Sequence, residues 1–346
     1  MRDTFIQARL NGITPPDREA MEAARLHWDA IAKPLHGLGR LEDMVVRIAG
    51  AAGTPEVRLD RKGVAVFCAD NGVVAQGVTQ SPSSVTAAVA GNLAAGRSSV
   101  CMMAKVARCR VVPVDMGILD FSGLPGLLDR RMGNGTQDIS VGPAMTRRQA
   151  EQAVLTGIEL VREQQEQGCR LLATGEMGIG NTTTSSAVAC MLLGRQVQEL
   201  TGRGAGLSDQ GLRRKIEVIR RAIAVNRPDP EDPLDVLSKL GGFDIAGLCG
   251  IFLGGALYGI PVLIDGVISS AAALCAERLC PNSAKAMVAS HVSQEPASRL
   301  LLEVLGKRPL ITAGMHLGEG TGAVAAIPLL DLSLIHISEP TRLRRI

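Results

Sequence analysis

Short apolar runs alternate with helical patterns through most of the chain. The runs Gly63–Cys68, Arg110–Val114, Arg170–Thr174 and Pro261–Ile264 each lead into a turn rich in Gly or Asp, as strands buried on both faces do. Between them, Thr146–Gln165, Thr183–Leu193 and Ser208–Val225 repeat apolar residues with a helical period. Strands separated by helices imply right-handed crossovers. The fold class expected is therefore α/β: a mainly parallel, doubly wound, Rossmann-like sheet with a small accessory helical domain. Near the N-terminus, Thr14 as cap, Pro15 in the first turn and Asp17 at the third position predict a helix. It carries Met21, Ala24, Trp28 and Ile31 on one face and is stopped by Lys33-Pro34. Residues 1–60 read as an accessory helical segment outside the sheet, and residues 61–331 as the α/β domain.

The stretch Ile245–Ile264 has no charge and the length of a membrane span. Gly259 and Pro261 break it, and neither an aromatic belt nor a Lys/Arg cluster flanks it. It reads as a buried helix followed by the strand Val262–Ile264, with no membrane partner. Hydrophobic residues make up 46% and charged residues 21%, which supplies a large core. A net charge of +3 and 2% aromatics give neither the basic stripe nor the stacking platforms of a nucleic-acid partner. The eight cysteines form no C-x-x-C pair, and the N-terminal MRDTFIQARLNG has no apolar signal segment. Together these predict reduced thiols and a cytoplasmic protein.

In open α/β sheets, ligands sit at the carboxyl ends of strands. Four such ends carry acids: Asp70, Asp115, Glu176 and Asp265. The segment Thr174–Thr183 runs from a strand into a helix with G-x-x-G-x-G spacing, so Gly178 and its neighbours bring backbone amides and a helix N-terminus to one point. Asn181 and Thr182 add side-chain donors. The spacing is neither the dinucleotide fingerprint nor a Walker loop, and it suits a phosphate of some other kind. The alternative is a tight turn with a capped helix. A second glycine loop, Thr201–Leu207 with Gly204, precedes a helix bearing Lys215, which either neutralises a phosphate or sits solvated beside Arg213 and Arg214. Glu319, between Gly318 and Gly320, serves either as a general base against an apolar wall or as a helix-capping carboxylate. His291 reads as a satisfied core or loop histidine. The five histidines show no metal-ligand spacing. Strand-end acids with a phosphate could hold Mg²⁺, but nothing in the spacing demands it, and neither metal nor cofactor is expected.

Taken together, several blocks resemble one family. They are Leu38–Glu42, Cys68–Val73, Asp138–Met145, Gly175–Thr183, Asp235–Asp244, Leu263–Gly266 and His316–Gly322. In order and spacing they are similar to the nicotinate-nucleotide–dimethylbenzimidazole phosphoribosyltransferases of cobalamin lower-ligand synthesis, from about residue 14 to 331. The resemblance implies that dimethylbenzimidazole displaces nicotinate from nicotinate mononucleotide with inversion at the anomeric carbon. It implies Glu319 as the base that takes the benzimidazole proton, with Glu176 as a second catalytic carboxyl. Gly178, Asn181, Thr182, Gly204, Lys215 and Ser293 match the ribose-phosphate site. Ser81, Met177, Met315 and Leu317 are expected at the base pocket. A homodimer is also implied. Departures from the family pattern are Asn71 in place of a histidine, Leu35-His36-Gly37 in place of Pro-Gly-Ser, and Val89 where a glutamine is usual. The last removes a polar contact from the base side. Competing readings are a nucleotide-binding oxidoreductase, disfavoured by the absent fingerprint, and a non-catalytic nucleotide- or benzimidazole-binding protein.

The segment 332–346 resembles the translation of a sequencing-library adapter. It is expected to be a non-native tail that replaces the helix completing the small domain.

Overall fold

The computed structural model describes residues 5–338. The elements run α1 (Phe5–Leu10), α2 (Arg18–Ala30), α3 (Arg40–Ala52), β1 (Lys62–Ala69), α4 (Ser84–Ala94), α5 (Ser99–Ala107), β2 (Cys109–Gly117), β3 (Leu128–Asp129), α6 (Arg147–Glu166) and β4 (Leu171–Met177). They continue with α7 (Asn181–Leu193), α8 (Val197–Leu200), α9 (Asp209–Asn226), α10 (Pro233–Leu240), α11 (Phe243–Tyr258), β5 (Val262–Ile264), α12 (Val267–Leu279), β6 (Met287–Ala289), α13 (Ala297–Val304) and α14 (Thr321–Ser338). All neighbouring strands pair in parallel, in the order β3-β2-β1-β4-β5-β6. The order reverses between β1 and β4, where a doubly wound sheet opens its ligand crevice.

Alternation along the strands divides the core. Val64, Val66, Cys68, Leu171, Ala173, Leu263 and Val288 face one layer, built from α2–α5 and α14. Ala65, Phe67, Val112, Val114, Leu172 and Ile264 face the other, dominated by α6, α7 and α9–α13. The first 60 residues contribute to both: Ile6, Leu10 and Ile13 join the second layer, whereas Ala24, Trp28 and Met44 join the first. Helix α14 runs unbroken across residue 332 to Ser338. The remainder of the suspected tail, 339–346, lies outside the described residues.

All four expected strands form, each extended by a residue or more at one end except for Val262–Ile264, which loses Pro261. The predicted first helix starts later than expected. Asp17, not Thr14, is its cap, and its carboxylate accepts from the Ala20 amide at 2.9 Å. The short α1 ahead of it has no counterpart among the expected elements. The uncharged stretch folds as α11, buried from Phe243 to Ala256, then β5. Among the described residues no helix is long and apolar enough to cross a membrane. A helix apolar on every side requires a full coat of neighbours. On one side α6 supplies it by backbone contact: a Cβ on Gly157 would lie 2.1 Å from the Gly247 carbonyl, and one on Gly250 would lie 2.0 Å from the Val154 carbonyl.

That contact leaves no room for a methyl group. Gly250→Ala is expected to force α6 and α11 apart and cost about 1–3 kcal/mol. Urea unfolding measures the loss; an unchanged midpoint would show that the two helices are not in backbone contact.

Candidate active site

The carboxyl ends of β4, β5 and β6, with the loop that leads from β1 into α4, converge on one cavity of about 320 Å³. Its first wall is the turn after β4. Gly178 lies so close to β1 that a Cβ there would stand 2.4 Å from the Ala69 carbonyl. Gly180 begins α7 with a left-handed φ of 94° and no side chain on the first amides. The positive end of α7 therefore faces the cavity. Asn181, the first helical residue, turns its amide inward. Its Nδ2 donates to Glu176 Oε2 in a short contact and to Asp244 Oδ2 at 3.0 Å. One NH₂ thus bridges two buried carboxyls. Burial pushes Glu176 well above the ordinary carboxylate range, and Asp244, Asp265 and Glu319 add repulsion in the same direction, against the bond from Asn181. Asp244, fully buried, is pushed up to about 6 by desolvation, again against the Asn181 bond.

The second wall is the loop with Gly204. Its amide donates to Glu295 Oε1 at 2.9 Å. Lys215 does not line the cavity. It is completely buried behind the wall, with Nζ 2.8 Å from Thr182 Oγ1 and 3.1 Å from the Gly202 carbonyl. Burial lowers its pKa to about 8, although Glu295 works the other way. The reading of Lys215 as a solvated lysine is thereby excluded. It fixes Thr182 and the second loop against each other with a positive charge one side chain removed from the cavity.

Glu319 closes the third side. Its backbone is left-handed (φ 58°), unusual for a residue with a side chain and a cost of roughly 1–3 kcal/mol. The turn is pressed on β4: a Cβ on Gly175 would lie 2.6 Å from the Glu319 carbonyl. Glu319 Oε2 is buried without a hydrogen-bond partner. A helix-capping role would have given that oxygen an amide.

Every expected site residue except Lys215 lines the cavity: Glu176, Met177, Gly178, Asn181, Thr182, Gly204, Ser293, Met315, Leu317 and Glu319, with Ser81 on the approach side. Leu317 stands at the rim, 57% exposed. Of the four strand-end acids, only Glu176 and Asp265 reach the cavity. Asp115 instead accepts from the Gly117 and Ile118 amides, both at 2.9 Å, and so shapes a turn. Asp70 accepts from Thr86 Oγ1 at 2.7 Å and from the Leu119 amide at 2.9 Å. The same Thr86 oxygen accepts from the Ile179 amide at 3.2 Å. Helix α4, whose Val85 and Val89 line the cavity, is thereby anchored to the turn after β4.

His291 is buried, as expected, with Nδ1 3.0 Å from Ser290 Oγ, yet it also lines the cavity. Sequence reasoning gives no role to Thr86, Asp244 or Glu295. Each acts through a contact distant in sequence, and no local pattern carries that signal.

An all-parallel α/β sheet with two glycine-lined loops and an unpartnered carboxyl oxygen at its crevice suits an enzyme that handles a phosphorylated ligand. A sequence profile described as phosphoribosyltransferase matches residues 13–343. The nicotinate-nucleotide–dimethylbenzimidazole phosphoribosyltransferase of Ruminiclostridium cellulolyticum is 45% identical over 97% of this chain and 95% of its own length. That of Roseiflexus sp. strain RS-1 is 48% identical over 92% of this chain and 90% of its own. The crystal structure of CobT from Thermus thermophilus superposes with a TM-score of 0.88 at 40% identity, over 92% of this chain and 96% of that one. The chain belongs to the nicotinate-nucleotide–dimethylbenzimidazole phosphoribosyltransferase family.

Two outcomes follow from the hydrogen bonds. Thr86→Val leaves Asp70 and the Ile179 amide short of a partner and is expected to cost about 1–3 kcal/mol, with Thr86→Ser retaining most of it. Equal denaturation midpoints for the two variants would remove the hydroxyl from this role. The Asp244 carboxyl holds its proton more tightly folded than unfolded. The stability it lends is complete below pH 3.8 and is lost as pH rises through about 6. Asp244→Asn should therefore gain on the parent protein across that window, by up to about 1.4 kcal/mol per pH unit. Urea unfolding at pH 4, 5, 6 and 7 reads the slope, and parallel curves would count against it.

Proposed function

We propose that the protein transfers the 5-phosphoribosyl group of nicotinate mononucleotide to 5,6-dimethylbenzimidazole, releasing nicotinate and α-ribazole 5′-phosphate. The observation that carries this reading is Glu319. Its carboxyl oxygen is buried without a partner, on a strained backbone, in the same cavity as both glycine cradles.

In this reading the phosphate lies between the turn at Gly178, Asn181 and Thr182 and the loop at Gly204, with Ser293 beside it. Lys215 supports the pair from behind. Fixing the phosphate fixes the ribose, so that attack becomes nearly unimolecular. The benzimidazole enters along Ser81, Val85, Val89, Met177, Met315 and Leu317, a wall of mostly aliphatic contacts. One ring nitrogen attacks the anomeric carbon from the α face. The β bond to nicotinate breaks, and the pyridine nitrogen keeps the electron pair. The N–H on the other ring nitrogen becomes acidic as positive charge builds, and Glu319 takes the proton. That interaction strengthens toward the transition state, as catalysis requires. Burial and three neighbouring acids push the Glu176 pKa up and so oppose its charge. The less charge it carries beside the ribose, the less it repels the phosphate. The pocket needs no metal or cofactor for these steps.

We read the working form as a cytoplasmic homodimer. The exposed Leu317 at the rim supports a second copy closing the base pocket, and eight free cysteines support a reducing compartment.

Glu319→Gln keeps the shape and removes the base. Turnover should fall about 10²–10⁴-fold with nicotinate mononucleotide still bound. Unchanged turnover would take Glu319 out of the reaction. Ligand binding with no turnover in the parent protein would favour a binding protein instead.

A further inference from the structure

On the side of the molecule formed by α2, α3 and the segment leading into β6 lies a second cavity of about 460 Å³. Arg25, Arg47, Lys285 and Lys307 line it, with Asp43 as the one acid. It continues into a smaller recess that shares Arg47 and Lys307 and adds Arg40 and Arg308. One groove therefore gathers six cations against a single carboxylate, in a chain whose entire net charge is +3. A concave surface lined by one sign of charge concentrates counter-ions of the other.

The cations are poorly compensated from within. Arg25 pairs with Glu22, and Arg40 donates to the Pro309 carbonyl. Lys285 finds only Thr14 Oγ1 at 3.2 Å, and Lys307 only the Ala284 carbonyl at 2.6 Å. Among the described residues Arg47 and Arg308 form no hydrogen bond or ion pair. Burial, helped by repulsion from Arg47, lowers Lys307 to about 8. Burial lowers Lys285 as well. A half-buried ammonium facing a guanidinium with no acid between them is held at a cost that a bound anion would offset. Met21, Val46 and Pro281 add an apolar wall.

We infer that this groove is a binding site, separate from the catalytic cavity, for a small polyphosphate-bearing molecule held by Arg47 and Lys307. Guanidinium groups match phosphate oxygens in pairs, and several separated cations suit a di- or triphosphate better than one phosphate. The groove is concave rather than flat, which suits a soluble ligand better than a lipid surface. The inference stands apart from the proposed reaction, since no residue of the groove lines the catalytic cavity.

The probe is inorganic triphosphate, titrated calorimetrically into the full chain. Nicotinate mononucleotide is present at saturation to fill the catalytic cradles, and no base is added. The parent protein is expected to bind one equivalent and melt at a higher temperature. Arg47→Gln/Lys307→Met should bind at least thirtyfold more weakly, with kcat/KM unchanged in the absence of the probe. Arg47→Gln alone, an exposed change, should weaken binding at least fivefold and serves if the double variant fails to fold. Lys307→Met without anion should melt no lower than the parent. Equal binding by parent and variants would overturn the assignment. So would binding lost on adding nicotinate mononucleotide, or capture by phosphatidylglycerol vesicles with no affinity for triphosphate.

Discussion

Electrostatic repulsion among buried carboxyls is the constraint on which the crevice depends. Glu176, Asp265 and Glu319 line one small cavity, and Asp244 lies just beneath. All four cannot be ionised together at low dielectric. The protein relieves the strain by position and by protonation. Asn181 spends both directions of one amide on Glu176 and Asp244, and burial opposes ionisation of Glu176. Asp265 gains the Ala323 amide at 2.8 Å and has His291 3.9 Å away. Glu319 Oε2 and Asp244 Oδ1 are left without a donor, and of these two acids Glu319 is the one that lines the cavity. On the proposed reaction, that is the one carboxyl whose charge the chemistry uses. In the same proposed reaction, the phosphate meets a wall of backbone amides with Lys215 behind it, and the Gly204 amide of that wall already donates to Glu295.

The same arrangement explains what the sequence makes legible. The four main strands can be read because parallel strands covered on both faces are almost continuously apolar, and their positions follow. The short β3 and β6 cannot, since two or three residues carry no period. The start of the first helix is misread because Thr14-Pro15 and Asp17 offer competing caps, and only the fold decides between them. Lys215 is ambiguous beside Arg213 and Arg214, yet it falls on the face of Val218, Ile219 and Ala222, the buried stripe of α9. Helical phase could have separated it from its neighbours. Glu319 and the glycine turns stand out because a charged side chain between glycines has few uses. Asp70 and Asp115 look like Glu176 and Asp265 in sequence but serve the backbone. The distinction lies in which amides happen to approach, and that is tertiary information.

Recognition of the second substrate rests on a related economy. With 2% aromatic residues, the chain has little with which to stack on a flat heterocycle. The wall facing the cavity uses Val78, Val85, Val89 and Met177 instead. Such a wall grips by area and dispersion and discriminates weakly between flat rings of one size, since a methylene more or less is worth only about 1–3 kcal/mol. Selectivity must then come from where the wall stands. Thr86 lies on the same helix as Val85 and Val89 and is tied through one oxygen to both Asp70 and the Ile179 amide. On the proposed reaction, the helix on the base side and the turn on the phosphate side therefore share an anchor. A displacement of either changes the distance between attacking nitrogen and anomeric carbon. A site with an unspecific wall thus depends on geometry for its discrimination, and one buried hydroxyl ties the two sides of that geometry together.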